Sequence, residues 1–373
     1  MKLVFFLLAF CVIAIRVYFG WRDHDRHSRG IEEGNMEIRS DNLNESIRYS
    51  GKFGIADDEQ SLKSITPGSW LKFRKNDLRM EAQSNLGGQI AYTLRDGSRS
   101  VDPGEPEGRM MIATVVHEMI GLGFDARARM ERVYQRAGAA GLLKEVDSLR
   151  ISPLKMQYFE KLTSIDSPAL MPEVIKKIGA FDSDPDRTQL LGKIPLKYLN
   201  DSLICAAYFG ALSNIGSDLN SMNILARILD ENTLSARLKD SILLHAGKLG
   251  SDLNRSEIFE KLIERGLDTA QTDRLLGQIA PIGSDLIKMN LYRKVLNTNT
   301  LNESGWMSLI DLAGQLGSDI DKVSLLTEIA EKMPVTKSVE FVYRQAARTI
   351  GNDGDYGHAI RALESRDQHA VYQ

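Results

Sequence analysis

Only two cysteines, Cys11 and Cys205, occur in 373 residues, and they sit far apart. No disulfide framework can be read from them, and cysteine usage does not fix the compartment. Histidine is scarce as well, and His24, His27, His245, His358 and His369 show no ligand spacing. His117-Glu118 begins as a zinc-protease helix would, but Gly121 stands where the second histidine belongs, so that motif is absent. There is no glycine-rich phosphate loop and no nucleophile elbow. Charge of one sign is missing too: Lys and Arg number 47 against 50 Asp and Glu, a formal net of -3, and nothing in that balance suggests a nucleic-acid partner. The sequence therefore names no catalytic, cofactor-binding or metal-binding residue.

What is present is a repeat. Gly-Ser-Asp returns at Gly216-Ser217-Asp218, Gly250-Ser251-Asp252, Gly283-Ser284-Asp285 and Gly317-Ser318-Asp319. A partial copy at Ser183-Asp184 precedes these, and Gly351-Asn352-Asp353 follows, so consecutive aspartates are 34, 34, 33, 34 and 34 residues apart. Each mark reads as a helix stop and a helix start. Glycine tolerates the left-handed conformation that ends a helix, and Ser or Asp accepts bonds from the free amides that open the next. Asp184, followed by Pro185 at the first helical position, reads as the cap. Apolar pairs follow six and ten residues after each Asp, as in Ile224/Leu225 with Ile228/Leu229 and Ile258/Phe259 with Leu262/Ile263. A second helix fills each unit, for instance from Ser235 to Leu249. The expected fold is mainly α: a right-handed α-solenoid of about six to seven HEAT- or TPR-like helical hairpins over residues 104–364, with a tail at 365–373.

Long apolar runs are absent except at the start, where Leu3 to Ile15 is unbroken and Val17 to Trp21 resumes after Arg16. As a helix, residues 3–21 extend roughly 28 Å, close to the hydrocarbon thickness, and no small-x-small cleavage site follows. A signal anchor over 1–21 is expected, with a polar tether over 22–46. Arg16, Arg22, Arg26 and Arg29 by themselves argue for a cytoplasmic body. The two-residue tail before the apolar run resembles an export signal instead. The reading adopted is a single-pass bacterial inner-membrane protein with a periplasmic body, export after cleavage or a cytoplasmic body being the alternatives.

Between tether and helices the period changes to two. Leu71 and Phe73 share one face of Trp70–Arg74, Leu78–Ala82 alternates, and Ile90, Tyr92 and Leu94 point the same way. Turn residues at Asn76-Asp77, Asn85 to Gly88 and Asp96-Gly97 join these runs, so residues 47–103 read as a small antiparallel β meander. Its outward set, Trp70, Lys72 and Arg74, is a candidate patch for something anionic, with a solvated strand face as the plainer account.

Trp70-Leu71-Lys72-Phe73, Tyr92 with Asp96-Gly97, Gly123 to Arg129, Leu142 to Val146 and Ser152 to Lys155 together resemble the region downstream of the membrane part in bacterial zinc peptidases of the beta-lactam-sensor, antirepressor-like family. The Gly-Ser-Asp units, with a charged residue three on at Arg255, Lys288 and Lys322, are similar to that family's downstream repeats. The family's multi-helix membrane portion and HExxH site have no counterpart in this chain. The resemblance implies a membrane-tethered sensory or binding region without peptidase activity. The function expected is that of a non-catalytic binding or scaffold protein with a protein partner. The alternative is a metal-binding or hydrolytic protein using the repeat-edge carboxylates Asp218, Asp252, Asp285 and Asp319.

Overall fold

The computed structural model describes residues 33–40, 43–231, 233–298 and 301–371. The expected anchor, and the tether up to residue 32, lie outside the described residues. Among those described, a small antiparallel β region precedes fifteen α-helices, and no helix is long and apolar enough to cross a membrane. The chain divides into two compact units, one ending at Tyr158 and the other beginning at Phe159.

The first unit opens with β1 (Glu33–Ser40), β2 (Leu43–Ser50), β3 (Phe53–Ile55), β4 (Leu62–Ile65), β5 (Trp70–Lys75), β6 (Leu78–Ser84), β7 (Ile90–Asp96) and β8 (Arg99–Val101). Six of these form one sheet in the order β1-β2-β5-β6-β7-β8, every pairing antiparallel, and β3 and β4 make a separate hairpin. The sheet therefore begins earlier than the sequence suggests, since β1 and the start of β2 occupy residues assigned to the tether. Polar composition hid them: the apolar residues of β1, Met36 and Ile38, are two among charges. The alternation in β5 and β6 behaves as expected, with Leu71, Phe73, Met80 and Ala82 all buried. Tyr49, Phe53 and Phe124 meet edge-on or tilted at 5.5–5.8 Å on this inner side.

Three helices follow: α1 (Pro106–Gly121), α2 (Ala126–Glu145) and α3 (Ser152–Ser164), the last running through the unit boundary. Gly138, at φ 63 and ψ -161, kinks α2 where the sequence shows a glycine-flanked break. Helices α1 and α2, within the 104–364 expected as solenoid, fall in the same compact unit as the sheet. An apolar sheet face needs a cover, and ion pairs from Lys75 to Glu118 and from Glu45 to Arg150 fasten the inner side of the sheet to the helical segment.

The second unit holds α4 (Met171–Gly179), α5 (Asp184–Lys193), α6 (Ser202–Leu212), α7 (Asp218–Leu229), α8 (Ala236–Ala246) and α9 (Asp252–Glu264). It continues through α10 (Thr269–Ile279), α11 (Asp285–Thr298), α12 (Glu303–Gly314), α13 (Asp319–Lys332), α14 (Lys337–Ala347) and α15 (Asp353–Val371). Residues 365–371, expected as tail, are the end of α15. Helices pack on the helix two further along: α5 on α7, then α9, α11, α13 and α15 in turn, and likewise α4 on α6 and α6 on α8, α10 on α12 and α12 on α14. The apolar pairs make these contacts, with Leu225, Ile258, Phe259, Leu291, Leu325 and Leu326 fully buried.

Candidate functional site

The recurring mark has a different local chemistry from the one its sequence suggests. Serine, not aspartate, is the cap: Ser217, Ser251 and Ser318 accept from the amides of Asn220, Asn254 and Asp321 at 3.3–3.4 Å, as Ser183 and Ser284 do from Asp186 and Ile287. Aspartate occupies the first helical position, and its carboxylate leaves its own helix. Asp184 Oδ2 accepts from the Gly216 and Ser217 N–H groups at 2.9 and 3.1 Å, and Asp218 Oδ2 accepts from Ser251 N–H at 2.7 Å. Asp252 reaches Gly283 at 2.9 Å, Asp285 reaches Gly317 at 2.8 Å, and Asp319 reaches Gly351 and Asn352 at 2.9 and 3.1 Å.

Each copy is therefore bonded to the next. The other carboxylate oxygen faces a cation three residues on: Arg187 at Asp184, Arg255 at Asp252 (3.9 Å), Lys288 at Asp285 (3.4 Å) and Lys322 at Asp319 (3.4 Å). For Asp319, burial pushes the carboxyl up, but the Gly351 and Asn352 amides and Lys322 outweigh it and hold the group below its ordinary range.

The glycines answer to the same contact. None of the repeat glycines has a left-handed backbone. A Cβ on Gly317 would meet Asp285 Oδ2 at 2.9 Å, and one on Gly250 would meet Asp218 Oδ2 at 3.2 Å. At Gly317, and less tightly at Gly250, the missing side chain makes room for the preceding carboxylate, whereas a Cβ on Gly216 or Gly283 would stand 3.5 Å from it, an ordinary contact.

Immediately after the aspartate of each of the four full Gly-Ser-Asp copies stands a large apolar residue that the fold does not bury. Leu219, Leu253, Leu286 and Ile320 are 56, 71, 72 and 72% exposed. Since the carboxylate bonds align the N-termini of α7, α9, α11 and α13 side by side, these four make one apolar row, one residue per repeat. Single exposed leucines need no explanation, whereas large apolar residues left exposed at the same position of four helix starts are a candidate for an interaction surface.

A second surface lies on the sheet. By strand register Trp70, Lys72 and Arg74 share the outer face with Arg48, Arg79 and Arg95. Arg74 is directly opposite Arg79, and Arg79 directly opposite Arg95. Lys72 Nζ sits 5.3 Å above the Trp70 ring and 2.9 Å from Glu81, the one carboxylate of this face among the described side chains of β2 and β5–β8. The sequence reading named three members of this group and missed the three arginines that the strand register adds.

The remaining polar clusters are structural in form. His117 Nδ1 is 2.7 Å from the Ala113 carbonyl, and Glu118 is held by Lys75 and Arg150, so these neighbours point to separate partners. Arg129, 7% exposed, takes both Glu59 oxygens at 2.8 and 3.1 Å and lies 2.6 Å from Glu145. Among the described residues no group of three or more His, Cys, Asp and Glu is placed to hold a metal ion.

Glu45, 1% exposed, accepts from Arg150 at 3.2 Å through Oε2, while its buried Oε1 has no partner. Burial pushes this carboxyl above the ordinary 4.5, against the opposing pull of Arg150 and Lys75 and with a small push from Glu118. A raised folded-state value means that its contribution to stability is complete below the unfolded value and is lost as pH rises through the folded one. Glu45→Gln should therefore raise the melting temperature at pH 7, with the gain shrinking toward pH 4. Melting curves at both pH values check this, and a lower melting temperature at pH 7 would contradict it.

No family model matches the chain, and no curated protein matches it.

Proposed function

We propose that this is a membrane-anchored, non-catalytic binding, scaffold or sensory protein. Residues 1–21 hold it in a bacterial inner membrane with the body on the periplasmic side. Its helices form a right-handed α-solenoid of HEAT- or TPR-like hairpins whose surface engages a protein partner. The resemblance to the sensor-peptidase region supports the tether and the sensory role. The observation that carries the binding role is the apolar row Leu219, Leu253, Leu286 and Ile320, repeated at one position per unit and left exposed. Stacked repeats commonly present such extended surfaces. The alternative, a cation site on the repeat edge, has little support, because each of those carboxylates already accepts backbone amides of the next unit and most face a cation.

A photo-crosslinking side chain placed at Leu219 or Ile320 in membranes should capture one discrete protein, and the same probe at exposed Lys337 should not. Leu253→Asp with Leu286→Asp should abolish that adduct while leaving the melting temperature unchanged. Equal labelling from all three positions, or an adduct that survives the double substitution, would remove the reading. Recovery of the full chain in a soluble fraction would remove the anchor, and protease resistance in spheroplasts would remove the orientation.

A further inference from the structure

From the outer face of the sheet we infer a second function: it is a docking surface for the anionic phospholipid headgroups of the bilayer in which the chain is anchored. Four arginines and a lysine, Arg48, Lys72, Arg74, Arg79 and Arg95, lie exposed on this face against Glu81, the one carboxylate there among the described side chains of β2 and β5–β8. Glu81 is taken up by Lys72. Neither Arg48, Arg74, Arg79 nor Arg95 forms an ion pair among the described residues. Like charges directly opposite on neighbouring strands destabilise a sheet. The row Arg74–Arg79–Arg95 places three in succession, so the face is built at a cost in stability that an anionic partner relieves.

Two further features select a bilayer over a nucleic acid or an acidic peptide. One end of the face is apolar and aromatic: Trp70 lies opposite Gln83 near the end of β6, and the turn that follows β6 carries Leu86 at 89% exposure. Tryptophan at the level of the headgroups, an apolar residue reaching past it and cations alongside are the pattern of a protein resting on a membrane. The second feature is chain length. Eleven residues, 22–32, separate the end of the apolar run at Trp21 from the start of β1 at Glu33. Fully extended they reach about 40 Å, so the sheet never leaves the neighbourhood of the membrane surface. Tethering supplies the effective concentration, and a patch of modest affinity suffices. This inference rests on the anchored reading above for its geometry, while the charge pattern stands without it.

The test uses the full chain with Trp21→Phe and Trp306→Phe, leaving Trp70 as the one reporting tryptophan. It is reconstituted with vesicles of phosphatidylcholine alone and with vesicles in which part of that lipid is replaced by phosphatidylglycerol, each carrying a headgroup-level spin-labelled quencher. Flotation with the neutral vesicles in high salt reads the anchor. Quenching of Trp70 in the anionic vesicles at low salt reads the sheet. The expected result is quenching confined to the anionic vesicles and reduced at least about tenfold by Arg74→Gln, Arg79→Gln and Arg95→Gln together, with flotation and circular dichroism unchanged. A chain that floats but shows no lipid-dependent quenching overturns the docking surface and leaves the anchor standing. So does quenching that survives the triple substitution, or a single-stranded oligonucleotide that removes it at equimolar amounts. Should the chain fail to float, the anchor falls, and charge-dependent pelleting with anionic vesicles decides the sheet: loss in the triple variant supports it, and no pelleting overturns it.

Discussion

Arg129→Met is expected to destabilise the first unit by about 3–5 kcal/mol, because removing one partner of a buried ion cluster strands the others. Arg129 is 7% exposed and, from the first turns of α2, joins Glu59 in the β3–β4 hairpin loop to Glu145 at the far end of the same helix. Glu59 holds a left-handed backbone at φ 59, a conformation that a non-glycine residue adopts when its surroundings impose it. Burial pushes the Glu59 carboxyl up, but the bonds and charge of Arg129 outweigh it and hold the group below its ordinary value. For such a depressed group, stability is present above the unfolded value and is lost as pH falls through the folded one. The variant should therefore unfold in chemical denaturant well before the parent at pH 7, and the gap should narrow in acid. A variant as stable as the parent would show that the cluster contributes nothing net.

Asp285→Ala should cost about 1.5–3 kcal/mol, the range for a hydrogen bond to a charged group, and more than the loss of a serine cap, which costs about 1 kcal/mol. It removes the acceptor of the Gly317 amide and leaves Lys288 without its carboxylate. Gly317→Ala should damage the same junction from the other side, since its Cβ would press on Asp285 Oδ2 at 2.9 Å and force the carboxylate off the amide. Combining the two substitutions should cost less than the sum of the single effects, because alanine at 285 removes the atom that alanine at 317 strikes. Thermal melts of the two single variants and the double variant check the cycle, and strict additivity would break the link between these residues.

The helices and their buried stripes were legible because each element carries its own period, and the recurring aspartates mark the starts of α5, α7, α9, α11, α13 and α15. The role of the aspartate was not legible in the same way. Its partners lie 31 to 33 residues away, and a side chain that caps and one that reaches outward occupy neighbouring positions in the same three-letter mark. A signal did exist: serine alone satisfies the cap, so an aspartate and a glycine recurring beside it needed a second reason, as did the cation three residues on.

On the sheet, Lys72 and Arg74 were visible, while Arg79 and Arg95 were not assigned to the patch. The turn at Asn76-Asp77 pairs Lys75 with Leu78 and so puts Arg74 against Arg79, which sequence arithmetic alone would have shown. Glu45 and Arg129 were invisible for a better reason. A charged residue in a polar stretch or on an amphipathic helix gives no sign of being buried until its partners, 105 and 70 residues away, are in place.

Carboxylates join each copy of the mark to the next, and amide hydrogen exchange of the full chain carrying Asp285→Ala measures this directly. Faster exchange is predicted at Gly317 and through the first turn of α13, with protection retained at Ser251 and in α7 and α9. Unchanged protection at Gly317, or a loss spread evenly over α5 to α15, would contradict it.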